Sequence, residues 1–334
     1  MADAIRTERL TKKIGWFSPR LLLDSLDLTV GEGHIFGLLG PNGAGKTTTF
    51  KLLLGLTRIS SGAAHLFGRE VPLPASRTCV GYLPETVHHP DYLTIDEYLV
   101  YHGRLAGVSD LSARIPSTLA RVGLKEAGNR TLGVLSKGLK QRVDIARVLM
   151  LDARLILLDE PVTGLDPMGQ AALKEILIGL RHDGISLLIS SHAIGILADV
   201  CDEIGILSNG RLVKSGCLET LLATDRYCII LDANGTASPG TRLPDGRRMI
   251  EVTGRAQFDA ALRDFTQRNA GVIEAGPVRL SLEELFTNTI GSSLSDTSAD
   301  SSGSSGSSGS LAKYVPSVES GGAVKESSPE APRP

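Results

Sequence analysis

Gly40-Pro41-Asn42-Gly43-Ala44-Gly45-Lys46-Thr47 decides the fold of this 334-residue chain. The octapeptide fits G-x-x-x-x-G-K-[ST], and that spacing has a mechanical reason. Glycines let successive backbone N–H groups converge on phosphate oxygens, and the helix that follows aims its positive end at them. In such a loop Lys46 reaches the β- and γ-phosphates of a nucleotide, the Thr47 hydroxyl ligates Mg²⁺, and Thr48 completes the cradle. The motif demands a strand before it and a helix after it. Ile35-Phe36-Gly37-Leu38-Leu39 reads as that strand, and a helix is expected from about Lys46.

Downstream, Leu155-Ile156-Leu157-Leu158 is fully apolar, as expected of a strand buried on both faces of a parallel sheet, and it runs into Asp159-Glu160. Asp159, at the carboxyl end of such a strand, can hold Mg²⁺ through its water shell. Glu160, one residue further, is placed to polarise an attacking water as general base. Ile185 to Ile189 reads as another buried strand, and Leu26, Leu28 and Val30 alternate with polar residues as a half-buried one. Thr94-Ile95-Asp96-Glu97 is a capping box, Asp166-Pro167 an N-cap with Pro at the first helical position, and Asn209-Gly210 a hairpin turn. Strands alternating with helices predict an α/β layer fold.

Further motifs go beyond a generic phosphate binder. Leu135-Ser136-Lys137-Gly138-Leu139-Lys140-Gln141-Arg142 opens a helix, Thr163-Gly164-Leu165-Asp166-Pro167 follows the acidic pair, and Ser190-Ser191-His192 ends a strand. With Tyr82-Leu83-Pro84-Glu85 they make residues ~4 to ~222 resemble the ATPase subunit of ABC transporters. The resemblance implies a P-loop NTPase fold with a helical subdomain, and ATP and Mg²⁺ as ligands. It assigns Ser136 and Gly138 to the signature, Asp166 to the D-loop, His192 to the γ-phosphate and Glu85 to the metal-side loop. Lys137 and Leu139 replace the usual glycine and glutamine of the signature, and Glu85 replaces a glutamine. Those substitutions resemble a bacterial exporter branch that moves drugs, polysaccharides or ions. The family's adenine-stacking aromatic falls at Phe17 or Trp16, since the aligned position holds Ile14. Two ATPase subunits, identical or related, would pair head to tail and drive a separate transmembrane permease from the cytoplasmic face of the membrane. The alternative is an ABC-type ATPase serving as a regulatory or assembly switch without transport.

Composition bounds the rest. Lys+Arg is 35 and Asp+Glu 37, a near-neutral balance that argues against a nucleic-acid partner. The four cysteines form no C-x-x-C pair, so neither a zinc site nor a disulfide framework is expected. No run approaches the ~18 apolar residues of a membrane span, and the N-terminus lacks a signal-peptide pattern. Three regions are expected: an ATPase domain over 1–224, a small α+β domain over 225–290 with a capping box at Ser281-Leu282-Glu283-Glu284, and a disordered Ser/Gly/Pro-rich tail over 291–334. The tail holds 15 serines, and its five acids against three bases account for the whole net charge of -2. The His88-His89 pair is expected to be solvated.

Overall fold

The protein is described by a computed structural model over residues 2–15, 17–232, 240–268 and 270–298. Two compact units emerge: one built from residues up to Ala223 together with the segment from Ser281 onward, the other from Thr224–Leu280.

The first unit carries two sheets. An antiparallel sheet is built from β1 (Asp3–Ile14), β2 (Arg20–Leu26), β3 (Thr29–Gly31), β5 (Ser61–Leu66) and β6 (Arg69–Glu70). The apolar alternation at Leu26, Leu28 and Val30 is buried as expected but breaks into β2 and β3. The reason is Thr7, whose hydroxyl donates to the Leu26 carbonyl and accepts from the Leu28 N–H, both at 2.8 Å, replacing ladder bonds with a side-chain bridge.

The larger sheet orders β11 (Arg211–Cys217), β10 (Glu203–Ser208), β4 (Ile35–Leu39), β9 (Ser186–Ser191), β8 (Leu155–Asp159) and β7 (Val80–Leu83), parallel except at β10–β11. Its central strands β4, β9 and β8 are buried at every residue because both of their faces are covered. Phe36, Leu38, Leu155, Leu157 and Leu188 pack toward the antiparallel sheet and α1 (Lys46–Leu53), whose Phe50 fills that layer. The alternate residues Ile35, Leu39, Ile156, Leu158, Leu187 and Ile189 join the second core. That core is shared with α2 (Ile95–Leu105), α3 (Leu111–Arg121), α4 (Lys137–Leu149), α5 (Pro167–His182) and α6 (Ile194–Val200). Register sets the rim. Leu39 pairs with Ser191 and Asp159 with Ser190, so Gly40, Glu160 and His192 leave adjacent strands at the same carboxyl end, where α/β sheets bind ligands.

After α7 (Leu218–Leu222) the chain enters the small unit. Its sheet orders β13 (Thr241–Arg242), β14 (Arg248–Thr253), β12 (Ala223–Leu231) and β15 (Val272–Arg279). Tyr227, Ile229 and Leu231 on β12 meet Phe258, Ala261, Leu262 and Phe265, which share one face of α8 (Arg255–Gln267).

The boundary drawn at residue 290 needs correction. The capping box forms, with Ser281 Oγ accepting from Glu284 N at 3.1 Å, but the helix it opens, α9 (Leu282–Ser298), does not join the small unit. Leu282 and Leu285 are buried in the core of the first unit, and Phe286 and Ile290 pack against the same core. The helix also runs to Ser298, past the expected tail start at Gly291, because the apolar spacing Leu282, Leu285, Phe286, Ile290 lets it bury a face that the repeats beyond cannot. The expected disordered stretch from 299 onward lies outside the described residues.

Candidate functional site

The phosphate loop forms as its sequence requires. Gly43 and Gly45 take positive φ, +81° and +115°. A Cβ on Gly40 would stand 2.4 Å from the Leu207 carbonyl oxygen, and one on Gly45 would strike the Leu23 side chain at 2.6 Å. Gly45 caps α1 without any side-chain bond, so the first amides of the helix stay available to an anion.

Lys46 is almost fully buried and folds back over the loop. Its ammonium donates to the Gly40 carbonyl at 2.5 Å and lies 3.1 Å from Glu160 Oε1. That second contact is an ion pair without hydrogen-bond alignment, since Glu160 Oε1 counts among the buried polar atoms with no hydrogen-bond partner. The other oxygen, Oε2, lies 2.7 Å from His192 Nδ1, accepts from the His192 N–H at 3.3 Å and from the Thr163 hydroxyl at 3.5 Å. Glu160 thus bridges the loop lysine and the histidine.

The backbone holding it there is strained. Glu160 has φ +50°, a left-handed conformation costing a carboxylate side chain about 1–3 kcal/mol. Ser190 compensates: the Glu160 N–H donates to the Ser190 carbonyl at 3.1 Å and to its hydroxyl at 3.0 Å, and that hydroxyl donates to Asp159 Oδ1 at 2.6 Å. One serine therefore orients both acids. It was visible in the sequence only as the residue two before His192. Burial, with Asp159 alongside, pushes the Tyr82 phenol up to about 12, so Tyr82 stays a neutral neighbour of that carboxylate.

A cavity of about 560 Å³ opens over these groups. Pro41, Asn42, Gly43, Gly45, Lys46, Thr47 and Thr48 line it, with Glu85, Glu160, Thr163 and His192. Gly40 and Ala44 shape the loop from beneath without lining the cavity, and Asp159 is buried behind its hydrogen bond to Ser190. Arg20 and Leu22 on β2 complete the lining, and neither was anticipated.

Other expected residues lie elsewhere. Phe17 does not line the cavity and is 99% exposed; β1 and β2 pair only up to Ile14 and Arg20, and the connection between them carries the ring into solvent. Trp16 lies outside the described residues. Ser136 caps α4 by accepting from Leu139 N at 3.4 Å, and Gly138 faces Leu165 and Gly169. Asp166 caps α5 by accepting from Gly169 N at 2.8 Å. These three lie close together at the surface and do not line the cavity. His89 corrects another expectation: it is buried, with Nε2 2.9 Å from Asp144 Oδ2, so it ties the segment after Glu85 to α4.

The donor set suits Mg²⁺ in one way only. Thr47, Glu85 and Asp159 offer hard oxygen atoms, yet among the described residues no three acidic, His or Cys side chains come together as a metal cage. Magnesium fits such a site when phosphate oxygens supply further ligands. The loop amides and Lys46 are what a triphosphate needs.

Comparison with known proteins agrees. A family model described as ABC transporter matches residues 23–163. An uncharacterized ABC transporter ATP-binding protein of Synechocystis sp. is 38% identical over 297 residues, covering 85% of this chain and 84% of its own. The Nod factor export ATP-binding protein I of Cupriavidus metallidurans is 34% identical, covering 88% and 99%. Among solved structures, an ATP-binding subunit of an ABC transporter superposes with TM-score 0.58 at 30% identity, over 65% of this chain and 91% of that one. Likeness on this scale extends far beyond the phosphate loop, and the chain belongs to the ABC transporter family as an ATP-binding, ATP-hydrolysing subunit.

Proposed function

We propose that two ATPase subunits, two copies of this chain or one with a related cassette, close head to tail around two ATP molecules and drive export through a separate transmembrane permease. The observation that carries this reading is the convergence of Lys46, Glu85, Glu160, Thr163 and His192 on the phosphate-loop cavity.

In the proposed cycle the loop amides from Gly43 to Thr48 hold the phosphates, and Lys46 exchanges Glu160 for a γ-phosphate oxygen. Glu160, released from that ion pair, accepts a proton from the attacking water, and Ser190 keeps its backbone in place. His192, held through Nδ1 by Glu160, turns its other ring nitrogen to the γ-phosphate. Thr47, Glu85 and Asp159 would hold Mg²⁺, which would supply positive charge to offset the negative charge of the phosphates. Ser136 and Gly138 of the second copy close the site, Asp166 supports the junction, and hydrolysis removes the contacts that favoured closure.

Several observations support the finer assignments. The Cupriavidus relative is named for Nod factor export. No helix among the described residues is long and apolar enough to cross a membrane, which fits a peripheral subunit on the cytoplasmic face acting through a permease. The unit over Thr224–Leu280 would support dimerisation or regulation. A purely regulatory switch is less well supported, because binding alone gives no use to a strained Glu160 paired with His192.

The test is co-expression with a candidate permease, membrane fractionation, and ATP-driven transport in vesicles carrying both chains. Recruitment of the chain to the membrane and transport abolished by Lys46→Ala are expected. A chain left wholly in the soluble fraction, with no ATP-driven flux, would refute the transport reading.

A further inference from the structure

We propose that Arg20 is the base-recognition residue of this ATPase: its guanidinium plane stacks on the nucleobase of ATP. The inference rests on the reading that ATP occupies the phosphate-loop cavity.

The cavity lining joins the phosphate loop to Arg20 and Leu22 on β2. The strand runs against the loop, for the Leu22 carbonyl oxygen lies 3.1 Å from where a Cβ on Gly45 would stand. Arg20 lies two residues before Leu22, where the β1–β2 register shifts, and both residues line the cavity. With its phosphates on the amides of the loop, a nucleotide has its base and ribose left to meet this strand.

No Phe, Tyr or Trp is among the described residues lining the cavity, and Phe17 stands in solvent. Arg20 also has no carboxylate to satisfy among the described residues, whereas Arg211, paired with Asp24 of the same strand, does. A guanidinium is planar, delocalised and weakly hydrated, so it stacks on an aromatic face where an ammonium cannot. Leu22 adds an apolar side chain to the same cavity lining. A cation and an aliphatic group side by side make a platform for a flat heteroaromatic ring.

The test measures binding of ATP and of inorganic tripolyphosphate, which shares the phosphates but lacks the base, to the full chain in the presence of Mg²⁺. Arg20→Ala is expected to weaken ATP about tenfold and raise the KM for ATP by the same factor, leaving tripolyphosphate within twofold of wild type. Arg20→Phe should restore ATP binding by ring stacking, and Arg20→Lys should behave like Arg20→Ala. Equal weakening of both ligands with rescue by lysine would make Arg20 a phosphate contact and overturn the proposal. So would an unaffected Arg20→Ala, most directly if Trp16→Ala alone lost ATP. Lys46→Ala separates the two levels: both ligands binding to it as to wild type would refute the cavity assignment itself.

Discussion

Replacing Glu160 with Gln tests the chemistry of the site with little change in its shape. The amide keeps an oxygen to accept from the His192 N–H and a backbone N–H for Ser190, so the local bonds at 3.3 and 3.0 Å can persist. What disappears is the negative charge and the proton-accepting power. General-base catalysis contributes about 10²–10⁴ in rate, so kcat should fall by that factor, about 3–5 kcal/mol of barrier at 1.36 kcal/mol per tenfold. Binding should move the other way. Lys46 is 3.1 Å from Glu160 Oε1, and at an effective dielectric of about 20 two unit charges at that distance attract by about 5 kcal/mol before desolvation is subtracted. A phosphate must displace that partner in the wild type and need not in the variant, so the Kd for ATP should be unchanged or up to about tenfold lower. Single-turnover hydrolysis measured by quenched flow, beside calorimetric titration with ATP, reads the two quantities separately. A variant hydrolysing within threefold of wild type would remove Glu160 as the base. One that no longer bound ATP would show that the carboxylate builds the pocket instead of acting in it.

Other consequences concern the scaffold. His89→Ala removes a buried partner of Asp144, leaving Tyr98 OH at 3.0 Å and Arg147 at 3.7 Å, and should cost about 1–3 kcal/mol of unfolding free energy in urea; an unmoved midpoint would return His89 to the surface. Burial, then the Arg147 charge, hold the His102 imidazole below its ordinary value of 6.5, against an opposing pull from Asp144. The folded state therefore resists protonation, and below pH 6.5 the unfolded chain binds more protons. Stability from this group is complete above that pH and declines as pH falls through the folded value, so His102→Gln should flatten acid unfolding over that interval, and an identical pH profile would refute the assignment. Leu285→Ala opens a cavity beneath α9 and should destabilise the first unit by about 2–5 kcal/mol; a variant unfolding as wild type does would show that α9 contributes nothing to that core.

The parts of the molecule legible in the sequence are those where chemistry allows few residue types in a fixed spacing. Gly43 and Gly45 must take positive φ, Lys46 must be a long cation at the helix start, and Leu155 to Leu158 must be apolar because both faces of β8 are covered. Each requirement is local, so a short window carries it. The missed features depend on pairings across long separations. His89 looks like half of a solvated pair until α4 brings Asp144, 55 positions away, to 2.9 Å. α9 looks like the end of the small unit because its capping box and apolar spacing say what it is and nothing about where it docks. Phe17 is one of two aromatics near the expected place, but residue type does not fix direction when the strand pairing ends before it.

Ser190 shows why register matters as much as motif. Nothing in Ser190-Ser191-His192 marks the first serine, since a buried strand tolerates many small residues. Its value comes from standing opposite Asp159 across the β8–β9 ladder, where one hydroxyl can donate to Asp159 and accept from Glu160. A shift of one residue in that ladder would turn Ser190 to the other face, leave Glu160 in a left-handed conformation without its anchors, and move His192 off its carboxylate. The acid pair and the histidine are therefore one device built by two strands, and the apolar runs on both faces of those strands, which lock the register, are part of the proposed catalytic machinery.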